Sequence, residues 1–179
     1  MSANLVWMDL EMTGLNPRIE RIIEIATIVT DSELNTIAEG PVLAIKQAKS
    51  LFDAMDEWNQ THHTASGLLD RIARQGVTET EAEAMTLSFL EKHVGEGAAP
   101  LCGNTIWQDR RFLSRYMPTL ESYLHYRMID VSSVKELAKR WRPDVAASFS
   151  KKNEHTALAD IRESIGELKH YRENFFRLN

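Results

Sequence analysis

The chain has almost no cysteine, no long apolar run and no surplus of positive charge, and each shortage narrows what it can be. Its single cysteine, Cys102, rules out an internal disulfide and suits a reducing compartment. Nothing approaches the about 18 consecutive apolar residues of a membrane span, and residues 1–10 lack the basic start and small-residue cleavage site of a signal peptide. The expected setting is therefore cytoplasmic, with no membrane partner. A formal net charge of −5 argues against a protein that grips long nucleic acid, because such binding relies on neutralising many phosphates with Lys and Arg.

What is present suits one well-buried domain spanning 1–179, since 179 residues with 43% apolar and 26% charged side chains are enough for one core and short for two. There are no repeats and no low-complexity tract; residues 143–150 are the only linker-like stretch. Apolar patterning predicts strands over 4–10, 22–30 and 37–45, the latter two joined by a turn around 31–35 in a meander. Helices are expected near 51–58, 65–74 and 79–93, then a strand over 100–103, a helix over 106–117, a strand over 128–131, a helix over 133–140 and a final helix. Antiparallel strands followed by alternating helix and strand make an α/β fold with a mixed sheet flanked by helices.

Four carboxylates and a histidine sit in or beside apolar segments expected to be buried: Asp9, Glu11, Asp109, His155 and Asp160. A buried carboxylate cluster is costly unless protons or cations join it, which points to divalent metal. Asp9 and Glu11 lie two apart on a strand, so they face the same side and can hold one cation; alone, they also match an ordinary solvated strand end. Gly14, Asn16 and Pro17 follow as turn residues and put the pair at the strand's exit. Thr105 and Gln108 match a capping box, which starts a helix near Ile106 and places Asp109 in its first or second turn, between the apolar stripe Phe112, Leu113, Tyr116, Met117 and solvent. There Asp109 is a metal ligand or the partner of a neighbour such as Arg110 or Arg111.

Leu158, Ile161, Ile165 and Leu168 mark the last helix as amphipathic. His155 and Asp160 are separated by about 140° around a helix of ~3.6 residues per turn, so they do not share a face. His155 is expected on the solvated loop ahead of the helix and Asp160 inside it, an arrangement suited to proton transfer above a metal-bound carboxylate.

Asp9-x-Glu11, Asp109 and His155-x4-Asp160, in that order, resemble the motif set of the DEDD superfamily of 3′-to-5′ exonucleases, in the branch whose last motif carries histidine. Longer words, at residues 7–15, 21–26, 102–113 and 125–132, are similar to the oligoribonuclease family across nearly the whole chain. Thr105 stands where serine is usual and keeps the hydroxyl, and a bulky Trp107 fills a position that varies. The resemblance implies a ribonuclease-H-like five-stranded mixed sheet. It further implies two divalent cations, Mg²⁺ or Mn²⁺, held by Asp9, Glu11, Asp109 and Asp160, with His155 as general base. It also implies a homodimer acting on short single-stranded RNA down to dinucleotides. Leu15 and Trp58 would hold bases, His63 and Ser132 would lie near the 5′ phosphate, Thr105 would also bind substrate, and Arg127 would cap that phosphate from a second subunit.

The residues themselves leave some of these roles open. Trp58-Asn59 and His62-His63 read as lying between two short helices, where Trp58 is either a stacking platform or a loop anchor; Arg127 also fits a surface salt bridge, and Trp141 fits a helix's core face. The acidic balance suits a substrate with few phosphates, unless Arg110, Arg111, Arg115, Lys139, Arg140 and Arg142 form a local basic patch. Two rivals remain. A DNA proofreading exonuclease would share all five groups, and a non-catalytic binder of short signalling nucleotides would have no reason to keep them.

Overall fold

Nine consecutive buried positions make β2 (Ile22–Thr30) the natural centre of a sheet, and β1 (Leu5–Met12) pairs with it antiparallel from Leu5 opposite Thr30 to Met12 opposite Ile22. The computed structural model describes residues 4–150 and 156–177. On the far side of β2 lies β3 (Thr36–Glu39), with the two-residue β4 (Leu43–Ala44) pairing the same strand further along. Beyond β1 come β5 (Pro100–Gly103) and β6 (His125–Asp130), each parallel to its neighbour, for an order β3-β2-β1-β5-β6. This is the expected mixed sheet along its main path, with β4 as a short addition.

Helices cover both faces. On one side α4 (Glu79–Leu90), α5 (Ile106–Tyr116) and α6 (Pro118–Tyr123) bury Leu90, Phe112, Leu113 and Leu120 against Val6, Met8 and Leu10. On the other, α7 (Val131–Trp141), α8 (Pro143–Ala147) and α9 (Ala157–Asn174) bury Val131, Val145, Ile161 and Ile165 against Trp7, Ala26 and Ile28. Three earlier helices, α1 (Lys49–Asp53), α2 (Glu57–Ala65) and α3 (Leu68–Gln75), follow β4, and α3 packs Leu68 and Ile72 on Ile23 and Ala44. No described helix is long and apolar enough to cross a membrane.

Several local expectations change. The strand over 37–45 divides at Gly40, whose N–H donates to Thr27 O and where a Cβ would lie 2.9 Å from the Phe89 ring, and Pro41 next to it has no N–H to give the ladder. The stretch 143–150 contains α8, and α6 extends the helical path past 117; both helices open with proline at their first turn. Residues 58–63 lie within α2 and not between helices. Trp141 ends α7 at 65% exposure, so it is not core. Thr105 forms no side-chain cap: it is the N-cap residue of α5 in the left-handed region, φ 54°, and the capping box found is Thr78 with Glu81 at α4.

Candidate active site

Asp9 and Glu11 project from the exit of β1 toward the layer that holds α9, whose first turn carries Asp160. One carboxylate oxygen from each of Asp9, Glu11 and Asp160 lies within 4.8 Å of the others. Three like charges this close, largely removed from water, resist ionising together. Burial, then the charges of Asp109, Glu11 and Asp160, raise the Asp9 carboxyl well above its ordinary range. Burial and the neighbouring Glu24 push Glu11 up to about 8.

Glu24 is a member that the motifs did not reveal. It sits directly across the strand pair from Glu11, is buried, and has Arg71 Nη1 at 2.5 Å from its Oε1, although no N–H is aimed at that oxygen. Arg71, from α3, lowers the Glu11 pKa but is outweighed there. Its signal in the sequence was a lone acid inside an otherwise apolar strand. His63 is buried beside the same carboxylate: its Nε2–H donates to Met12 O at 2.9 Å, which leaves Nδ1 facing Glu11 Oε2 at 3.8 Å, and burial lowers its pKa toward the neutral ring.

Asp109 comes from the opposite layer. Its helix packs Phe112 and Leu113 under the sheet, and its Oδ1 accepts the Leu10 N–H at 2.9 Å, so it is buried at the end of β1 instead of lying at the solvent border or pairing with Arg110. Arg110 pairs with Glu121 at 2.7 Å. Burial lifts Asp109 to about 7 despite the Leu10 bond. It stands outside the tight trio of oxygens yet close enough to be the second cause of the Asp9 shift.

Around this cluster the chain presents apolar surface on rigid supports. The loop after β1 is latched to α5 by Gln108 Nε2 donating to Leu15 O at 2.6 Å and by Tyr116 OH donating to Pro17 O at 2.6 Å, while the Leu15 side chain stays 74% exposed. Trp58 is 66% exposed and stacks on His62, one helical turn away, at 4.5 Å and 12°.

The turn from β5 into α5 is tight, for a Cβ on Gly103 would lie 2.9 Å from Ile106 and 3.1 Å from Met8 O. Thr105, two residues on, holds a strained conformation, since a β-branched residue at positive φ is an outlier. Thr105 N–H donates to Asp130 Oδ1 at 2.9 Å and Ser132 Oγ at 3.0 Å, and the two hydroxyls of Thr105 and Ser132 are 3.1 Å apart. Asp130 also accepts from Ser132 N as the N-cap of α7, so one carboxylate oxygen ties both helix starts. Arg127 is on the edge strand β6 with its guanidinium 5.1 Å from the Tyr126 ring centre. His155 lies outside the described residues.

The donor set fits a hard divalent cation: the clustered ligands are carboxylates, and Asp9 and Glu11 are raised above their ordinary range even though Arg71 lowers Glu11. Deprotonated, these oxygens would hold such ions, and the ions would offset a phosphodiester's negative charge at the end of the sheet.

The chain is similar to known proteins over most of its length. A family model described as exonuclease matches residues 6–168. An oligoribonuclease of Shewanella loihica is 61% identical over 175 residues, covering 98% of this chain and 97% of its own, and one of Alcanivorax borkumensis is 61% identical over 172 residues, covering 96% and 95%. Among solved structures, exonuclease I of Methylocaldum szegediense superposes with a TM-score of 0.70 at 24% identity, covering 97% of this chain. The zinc-bound E. coli ExoI–ssDNA complex gives 0.73 at 20%, covering 98%. This chain spans only 41% of each of those two structures, and they establish the ribonuclease-H-like fold it shares with them. Matched by the exonuclease model over most of its length and by relatives that align nearly end to end, this chain belongs to the oligoribonuclease family of exonucleases.

Proposed function

We propose that the protein hydrolyses very short single-stranded RNA from the 3′ end, down to dinucleotides, releasing nucleoside 5′-monophosphates. The observation that carries this reading is the trio of carboxylate oxygens from Asp9, Glu11 and Asp160 within 4.8 Å, beside buried Asp109. Asp9, Glu11 and Asp160 would hold two Mg²⁺ or Mn²⁺ ions directly, and Asp109, with one oxygen committed to Leu10 N–H, would do so through water. What two such ions supply is Lewis acidity, at the attacking water and at the scissile phosphate. His155, by the family pattern, takes the water's proton.

The other residues serve binding. Leu15 and Trp58 offer exposed apolar faces for two bases, the stack on the Trp58 ring being worth about 1–3 kcal/mol. His63, its ring beside Glu11, lies with Ser132 and Thr105 near the 5′ phosphate. Arg127 reaches the same phosphate from a second copy of the chain. The edge strand β6, where Tyr126 and Met128 are exposed beside Arg127, supports a homodimer joined there. We read the whole of 1–179 as one domain working in the cytoplasm, for which the lone buried Cys102 is suited.

The test is a time course on end-labelled oligoribonucleotides two to ten long with Mg²⁺, beside the matching single-stranded DNA. Mononucleotides should accumulate fastest from the shortest RNA. Preference for long DNA would favour the proofreading reading instead, and binding without cleavage would leave only a nucleotide binder.

A further inference from the structure

Glu167 is a fully buried acid on α9 that no motif marks and that the metal cluster does not include. Its Oε1 is 2.8 Å from Lys135 Nζ on α7 and accepts from Tyr171 OH at 3.0 Å, while its Oε2 accepts from Asn104 Nδ2 at 3.1 Å. The second hydrogen on that amide goes to Ser164 Oγ at 2.8 Å, and Ser164 in turn donates to Asp160 O at 2.8 Å. Because the Ser164 proton is spent on a carbonyl and a carboxylate can only accept, the Asn104 atom facing both must be its NH₂. Its carbonyl oxygen therefore faces Ser132, whose hydroxyl donates to it at 3.0 Å. Ser132 Oγ is then free to accept the N–H of left-handed Thr105.

We propose that Glu167 is a positioning residue: through Asn104 it holds the Ser132 oxygen, and through Ser132 the strained Thr105, in fixed register with the helix that carries Asp160. A strained backbone persists only where its surroundings over-determine it, and this chain of bonds supplies that constraint. The consequence is specificity for the substrate's 5′ end without contact to substrate. The inference rests on Thr105 and Ser132 meeting the 5′ phosphate.

Two charge-free double variants test it. Lys135→Met with Glu167→Gln removes the cation and keeps an acceptor for Asn104; Lys135→Met with Glu167→Leu removes the cation and the acceptor at similar volume. Replacing both partners of a buried ion pair avoids the unpaired charge that threatens folding in a single variant. Each is assayed on one diribonucleotide with and without a 5′ phosphate. The glutamine variant should keep the wild-type preference for the phosphorylated form within about 3-fold. The leucine variant should lose about 10-fold of it, the scale of one hydrogen bond to a charged group, with the loss in KM and with little change on the unphosphorylated form. Equal preference in the two variants, or an equal fall on both substrates, overturns the proposal. A wild type that treats both dinucleotides alike removes the 5′-end reading, and the role of Glu167 with it.

Discussion

At the scale of single residues, the carboxylates are held in a state that bound protons or a cation relieve. Glu11 is raised from 4.5 to about 8 and Asp109 from 3.8 to about 7, in each case first by burial. In the unfolded chain both ionise near their ordinary values, so between those values and the folded ones the native state holds more protons than the unfolded state. Stability is then fully present at low pH and falls as pH rises through the folded pKa values. With chelator present, the melting temperature should drop from about pH 5 to about pH 8, and Mg²⁺ should restore far more at the upper end, where it no longer competes with protons. Asp109→Asn should flatten part of that drop. A melting curve indifferent to pH, or Mg²⁺ acting equally at both ends, would contradict the cluster's electrostatics. Most of this cluster was legible, because strand alternation puts Asp9 and Glu11 on one face and the resemblance to the exonuclease motif set adds Asp160 to them. Glu24 and Arg71 were not, nor was Glu167 outside the cluster, since each matters through a partner on another element that no spacing along the chain reveals.

Elements differ in how much of themselves they write into local sequence. The largely apolar, fully buried β2 and the short β5 match their expected bounds, while the split at Gly40 depends on Phe89 of α4, and α6 and α8 are shorter than the periodicity that defines a helix by pattern. Proline at the first turn was their only mark. Thr105 with Gln108 shows how a local signal misleads: the words of a capping box are there, but bonds from Thr105 N–H to Asp130 and Ser132 draw the residue into a left-handed conformation where its side chain caps nothing. The two threonines therefore respond oppositely in urea denaturation. Thr78→Ala removes a real cap, with Glu81 N donating to Thr78 Oγ1, and should cost about 1 kcal/mol with activity intact. Thr105→Gly relieves the positive φ and should be as stable as the wild type or better by up to ~1 kcal/mol, while losing activity on 5′-phosphorylated substrate. A Thr105→Gly loss as large as that at Thr78 would mean that the conformation is not strained.

For the whole molecule, the sheet's order has a consequence that single residues lack: β6 is an edge, and its outward residues, with those of α7 after it, include the exposed Tyr126, Met128, Leu137 and Trp141. An edge with such exposed apolar residues invites a second chain. Arg127 lies on that edge, and its planar fork suits a terminal phosphate. If it closes the partner's pocket, substrate length is limited by geometry, and Arg127→Ala should depress dinucleotide cleavage much more than cleavage of a longer oligomer. Mixing subunits sharpens the test. In a heterodimer of Arg127→Ala with Asp109→Asn, the subunit with an intact metal site faces the other's normal Arg127, so one working pocket forms although neither homodimer has one. Dinucleotide activity should then rise after exchange toward about half the sites of the mixed dimers. Subunits that demonstrably exchange, by mass or fluorescence, without any return of activity would rule out capping in trans, and so would a wild type that is fully active as a monomer.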